Sequence, residues 1–234
     1  MKKENNKIMM KRMFAVALAI VMTFALCACS IELGGEETWE YSSDELEGSK
    51  DIYTDFFSKT LSDTNQVMTM KSGDKVIYVE TIDGTSEYNY AETNGASSYA
   101  FVADGVYYYG VEDPENNTKY YFTSKDMYDT GFRTYKSFVN LFDAFTEEDG
   151  IVFDTRVEGT ANGTGDDRQS NATLKMTLTY EGETITVEAT SVNELVTNMT
   201  MTSGGVVNTF TFEYGNASVT VPDLTDWTNL SEQN

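Results

Sequence analysis

The sequence predicts a mainly β fold with α: a strongly curved antiparallel sheet, an unclosed barrel of about 11 strands, with an N-terminal helix and an inserted helix covering the concave face. Three observations predict it. From Gln66 onward apolar side chains recur at every second residue, the period of a strand with one buried face. Glycine-containing turn pairs punctuate the chain at short intervals. Only two segments keep the period of a helix.

The elements follow in order. "MKKENNKIMMKR" is short and basic, and "MFAVALAIVMTFAL" is a run of 14 apolar or small residues. The two cysteines of the chain, Cys27 and Cys29, come next, and acidic sequence follows them. A charged start, an apolar middle and a small-residue end read as a secretory signal. Met13 to Cys29, about 17 residues, is at the lower limit for a membrane span, and no basic cluster follows to stop transfer. Ser30 to Lys50 is rich in Gly, Ser and Glu and reads as a flexible acidic tether. Asp51 to Leu61 is expected to be helical, because Ile52 and Phe56, and Tyr53 and Phe57, stand four residues apart on one face.

Hairpin signals come at Asp83-Gly84, Asn94-Gly95, Asp104-Gly105, Glu181-Gly182 and Ser203-Gly204-Gly205, the pairs that favour primed turns. The cleanest strand between them is Ala172 to Tyr180, where Leu174, Met176 and Leu178 alternate with Thr173, Lys175 and Thr177. In the first half, Met68 and Met70, Tyr88 and Tyr90, Tyr99 and Phe101, and Tyr120 and Phe122 are the expected inward pairs. Val106 to Val111 is apolar on both faces, so its inward side stays open. In the middle, Tyr135, Phe138, Val139, Phe142 and Phe145 form one helical stripe over Arg133 to Phe145. "GTANGTGDDRQSN" reads as an exposed loop, in which Asp166 and Asp167 could hold a cation but an ordinary solvated loop is the simpler reading.

"LCAC", Leu26 to Cys29, resembles the lipobox of bacterial lipoproteins. That resemblance implies a diacylglyceryl group on the Cys29 thiol and cleavage before it, so that Cys27 leaves with the signal. Two or more acyl chains then hold the protein stably on a membrane. The expected organisation is a signal over 1–28, a lipidated cysteine and tether over 29–50, and one half-barrel domain over 51–234. The expected location is extracytoplasmic, lipid-anchored to the bacterial cell membrane.

Removal of residues 1–28 takes away five of the 16 Lys and Arg and one of the 38 acidic residues, leaving a net charge of −26. Nucleic acid is excluded as a partner, since binding it rests on clustered Lys and Arg. There is no histidine, and after cleavage no free thiol. No G-x-S-x-G elbow, S-x-x-K in the mature region, phosphate loop or EF-hand pattern is present. The chain is therefore expected not to be an enzyme, to hold no cofactor or metal, and to be a monomer. A carboxylate-pair glycosidase stays open, because such pairs are set by the fold and not by spacing.

The order of a lipidated cysteine, leading helix, six strands, helical insertion and a second strand run, with the ending "FEYGNASVTVPDLTDW", resembles the LolA/LolB/LppX group of envelope lipoproteins. The resemblance implies an unclosed barrel with a helical lid over a hydrophobic cavity, and a lipid, acyl chain or lipoprotein as ligand. Tyr88, Tyr90, Phe101, Phe138, Phe142 and Met199 are the expected lining residues, with Phe138 and Phe142 on the lid. The alternative is a surface module with a filled core that binds protein or cell-wall polymer. Cavity volume discriminates the two.

Overall fold

A computed structural model describes residues 36–231, apart from 85, 94, 127, 129–150, 165, 166 and 181. Residues 37–234 cluster as one compact unit. The described residues form a mainly β fold: one large curved sheet, unclosed, with a single α-helix. The strands are β1 (Glu37–Ser43), β2 (Asn65–Ser72), β3 (Lys75–Asp83), β4 (Ser86–Thr93), β5 (Ala96–Ala103), β6 (Val106–Asp113) and β7 (Thr118–Phe122). They continue as β8 (Val152–Asn162), β9 (Gln169–Tyr180), β10 (Glu183–Val192), β11 (Leu195–Ser203), β12 (Val206–Tyr214) and β13 (Thr228–Asn229). The helix, α1, is Leu46–Ser62.

The sheet order is β1-β8-β9-β10-β11-β12-β2-β3-β4-β5-β6-β7-β13. Two meanders, β2 to β7 and β8 to β12, each pair strand to strand through short turns. They are joined where β12 lies antiparallel to β2, with Phe210 opposite Met70 and Phe212 opposite Met68. β1 caps one edge on β8 and β13 caps the other, parallel to β7.

Among the described residues the sheet has thirteen strands where the period predicted about eleven, and the two additions are the edge strands. β1 lies in the segment expected to be a tether, and α1 begins at Leu46, not Asp51. Composition concealed β1, because Glu37, Glu40, Ser42 and Ser43 continue the Gly, Ser and Glu character of the segment around it. The ladder holds it through cross-strand partners: Glu37 reaches Arg168 at 3.0 Å and Glu40 reaches Arg156 at 3.1 Å. Trp39 stands opposite Gly159 and covers the gap that the missing side chain leaves. The exposed loop is likewise shorter than expected. β8 runs on to Asn162 and β9 starts at Gln169, with Ala161 buried at the core. Asp167 is exposed, and Asp166 lies outside the described residues. So does the predicted helix over 133–145, with Phe138 and Phe142.

The face on which α1 packs is here the inner face. Its core is Tyr53 and Phe57 from α1 with Met68, Met70, Leu174, Met176, Leu178, Val187, Met199, Phe210 and Phe212 from the strands. The Tyr53 and Phe57 rings meet at 4.8 Å in a tilted contact, one helical turn apart. The C-terminal end of α1 is fastened by its one buried threonine. Thr60 Oγ1 accepts from Val196 N at 2.8 Å and from the Tyr214 hydroxyl at 3.2 Å, beside the bulge where Ser191 faces Val196. The Tyr214 hydroxyl shares its single proton between Thr60 Oγ1 and the nearer Val196 carbonyl, 2.5 Å away.

The turns follow the predicted chemistry where glycine supplies the positive φ, as at Asp104-Gly105 (φ 52 and 76). The β10–β11 turn does not, because Asn193 and Glu194 take φ of 52 and 69 without a glycine. A left-handed non-glycine residue costs about 1–2 kcal/mol. Glu194→Gly relieves that strain but loses the exposed Lys59–Glu194 ion pair, 3.3 Å, which contributes little. The extra freedom of glycine in the unfolded chain offsets part of the gain. The expected result is a net stabilisation of about 0.5 kcal/mol, read as a higher urea midpoint with unchanged slope.

Candidate functional site

The residues expected to line one hollow stand on two faces of the sheet. Strand pairing sets this. Met70 on the inner face lies opposite Tyr78, Tyr78 opposite Ala91, and Ala91 opposite Ser98. The inner residues of β4 are therefore Glu87, Asn89 and Ala91, and Tyr88 and Tyr90 point to the other face. Tyr88 pairs with Phe101 and Tyr90 with Tyr99, so all four are on the outer face. Met199 is on the inner face, 3% exposed, within the filled core. The expectation failed because period two gives two alternatives per strand, and β4 and β5 carry their large side chains on the side away from the helix. The open question at β6, Tyr107 and Tyr109 inward or else Val106 and Tyr108, resolves to the first: Tyr107 and Tyr109 are inner and Tyr108 is outer.

What the structure brings together on the outer face of β4 to β7 is a set of parallel rows. Tyr88, Phe101 and Tyr108 form one row, and Phe101 and Tyr108 stack at 4.9 Å. Tyr90, Tyr99 and Gly110 form the next, with Tyr90 and Tyr99 at 5.4 Å. Trp227 fills the place above Gly110, where a Cβ would lie 2.9 Å from its ring, and meets Tyr99 edge-on at 5.6 Å. The third row is Glu92, Ser97, Glu112 and Lys119, consecutive partners across four strands.

Trp227 reaches this face from the far side of the meander. After β12, Gly215 N donates to Asn65 O at 2.9 Å and Ala217 N to Asn65 Oδ1 at 3.0 Å. The chain then runs as far as β7, where Leu230 N donates to Tyr121 O at 2.9 Å. Ala217, Val219, Pro222, Leu224 and Trp227 are half-buried along the way.

The third row is layered by charge. Lys119 Nζ lies 2.7 Å from Glu112 Oε1 and 5.9 Å from the centre of the Trp227 ring. Lys75 pairs with Glu92. The Glu92 and Glu112 side chains are 18% and 29% exposed, those of Lys75 and Lys119 60% and 43%, so the carboxylates lie beneath the ammonium groups. The Tyr99 hydroxyl donates to Glu112 Oε2 at 3.4 Å. Burial and then the Glu112 charge push the Tyr99 phenol up. Burial, with Tyr99 and Tyr90 adding to it, pushes Tyr88 up to about 12. Tyr214, below α1, is also raised to about 12, chiefly by burial.

These values give a pH prediction. A free phenol titrates near 10. The unfolded chain thus releases these protons first, and stability falls as pH rises. The contribution of Tyr88 and Tyr214 is complete below about pH 10 and is lost as pH rises through about 12. Phenolate absorbance during alkaline titration should show a late class of tyrosines that ionises together with loss of the β-sheet circular dichroism signal.

Two other polar groupings stand apart from this face. On the inner face, Glu80 and Asn89, 1% and 2% exposed, meet at Tyr78: its hydroxyl donates to Glu80 Oε2 at 3.3 Å and accepts from Asn89 Nδ2. This is a closed polar seam within the core. At the β1 edge an open cleft of about 630 Å³ is lined by Thr38, Glu40, Glu158, Thr160, Asn171 and Thr173, with Trp39, Gly159 and Ala172 at its floor. Glu40 and Glu158 stand opposite each other there and share Arg156 at 3.1 and 3.3 Å. Among the described residues no group of three His, Cys, Asp or Glu is placed to hold a metal ion.

Sequence reasoning found Tyr88, Tyr90 and Phe101 and missed Trp227, Glu92, Glu112, Lys75 and Lys119 as their neighbours. The one available signal was Tyr99, in step with Phe101 on the same strand. Trp227 comes from a segment without period, and only the fold brings it to Gly110. No protein-family model matches this chain, and no curated protein matches it either.

Proposed function

We propose that the chain is an extracytoplasmic lipoprotein, anchored through Cys29, whose domain is a non-catalytic binding module for a partner in the cell envelope. The carrying observation is the outer face of β4 to β7. It sets half-buried rings of Tyr88, Tyr90, Tyr99, Tyr108 and Trp227 beside the carboxylates of Glu92 and Glu112. Tyrosine and tryptophan combine a large apolar area with a polar tip and recur at binding surfaces. Under α1, by contrast, the inner face is occupied by its own side chains, with Phe57, Met68 and Leu174 at 0% exposure. The anchor rests on the order of basic start, apolar run and "LCAC". Cys29→Ser should abolish incorporation of labelled palmitate and shift the protein from the membrane fraction to the soluble one.

The module reading is tested by sedimenting the mature chain with envelope fragments. The joint variant Tyr90→Ala and Tyr99→Ala should lower the bound fraction about tenfold while the circular dichroism spectrum is retained. Equal binding by variant and wild type overturns it.

A second reading, a carrier of a hydrophobic ligand as in the LolA/LolB/LppX group, is favoured by one observation. Over β4 and β5 the inner face presents short side chains, Ala91, Ser98 and Ala100. Mass spectrometry of protein purified without detergent would then find lipid at one mole per mole. A lipid-free protein that takes up none in exchange assays removes that reading.

A further inference from the structure

We propose that the outer-face patch receives a basic, extended segment of a partner protein, seating a lysine or arginine head between Glu92 and Glu112 above Ser97. This rests on the binding-module reading and names the chemistry of the partner.

The chain itself shows how a cation is held there. Lys119 places its ammonium 2.7 Å from a Glu112 oxygen and over the Trp227 ring. A carboxylate beside an electron-rich ring is the combination that binds ammonium and guanidinium groups. Glu92 at the other end of the row holds a second ammonium, that of Lys75, by its carboxylate alone. Ser97 is the partner of both glutamates in register, on the strand between them. It is too short to fill the space between two strands that stand about 10 Å apart. The Tyr90–Tyr99 pair of the next row flanks that space, with the Tyr90 hydroxyl 3.4 Å from Ser97 Oγ.

Charge complementarity selects the occupant. The chain carries 38 acidic and 16 basic residues and has a pI of about 4.1. Its long-range field draws in cations and repels anionic polymers, and a neutral glycan gains nothing from it. Both carboxylates of the row are more than two-thirds covered. Their charge is therefore less screened by solvent than that of an exposed pair. An incoming basic side chain competes with Lys75 and Lys119, which are the more exposed members of each pair and free to swing outward.

The probe is tetralysine, titrated into the mature chain carrying Trp39→Phe and excited beyond the tyrosine absorption band, so that Trp227 is the one tryptophan observed. Tetraglutamate and a neutral chitooligosaccharide are the controls. Tetralysine should change the Trp227 emission and bind more weakly as salt rises. The joint variant Glu92→Gln and Glu112→Gln should weaken it about tenfold. The joint variant Glu40→Gln and Glu158→Gln, with the same change of net charge at the β1 edge, should weaken it less than twofold. Equal weakening by both variants means attraction to the acidic body as a whole and overturns the proposal. So does oligosaccharide binding in place of tetralysine. Loss of envelope binding in the Tyr90 and Tyr99 variant, together with no tetralysine binding, would leave the module reading standing and this one refuted. If that variant still binds envelope as wild type does, the module reading itself has failed.

Discussion

Phe57→Ala is expected to remove about 3–5 kcal/mol of stability, the range for deleting a fully buried aromatic ring. Phe57 is 0% exposed and lies between Tyr53, at 4.8 Å, and Phe56, at 5.4 Å, on the helix that closes the inner face. Elsewhere on that face helical Tyr128 packs over β4 and β6, against Glu87 at 3.0 Å and Tyr107 at 5.0 Å, so α1 is the helix that covers this core. The cavity is thus bounded by β strands that cannot collapse into it without bending the sheet. A whole domain of this size holds only about 5–15 kcal/mol in reserve. The variant should unfold at a much lower urea concentration, and the loss should appear with Phe57→Leu as well, at a smaller size. A midpoint within experimental error of wild type would mean that α1 is not seated on this core.

Gly159→Ala is the second large effect. An added Cβ would lie 2.5 Å from Cε2 and 2.9 Å from Nε1 of Trp39. An indole is rigid, so it must leave as a unit, and Trp39 is the main apolar side chain that β1 lays on β8. Overpacking of this kind costs about 1–3 kcal/mol. The expected signs are a red shift of Trp39 emission and faster hydrogen exchange over Glu37 to Ser43. Trp39→Ala in the same background should restore the ladder, because the methyl group then has room. If Gly159→Ala leaves Trp39 emission unchanged, the indole is not seated there.

Much of the fold was legible because short-range rules govern it. Leu174, Met176 and Leu178 are buried and Lys175 is exposed, as strict alternation requires. Glycines at Gly84, Gly105 and Gly182 take the positive φ that their turns need. What was illegible depends on partners far along the chain. β1 exists because Gly159 makes room for Trp39, some 120 residues on. The inward side of β4 could not be read, since Tyr88 and Tyr90 look like core while Glu87 and Asn89 look like surface, and the structure reverses them. The site was half-read for the same reason: its rings were visible as aromatic residues, but the pairing that lays Glu92 and Glu112 beside them was not.

The junction of β12 with β2 has a consequence for biogenesis. Met70 and Phe210 are neighbours, so the middle of the sheet is made from strands synthesised near the two ends of the chain. Non-local pairings of this kind form slowly. During synthesis the leading meander emerges with one side of β2 bare, and that side stays bare until Val206–Tyr214 has been made. A bare strand side invites wrong pairing. The two meanders should therefore join only once β12 is present, which makes truncations that remove β12 far more aggregation-prone than the length they lose would suggest.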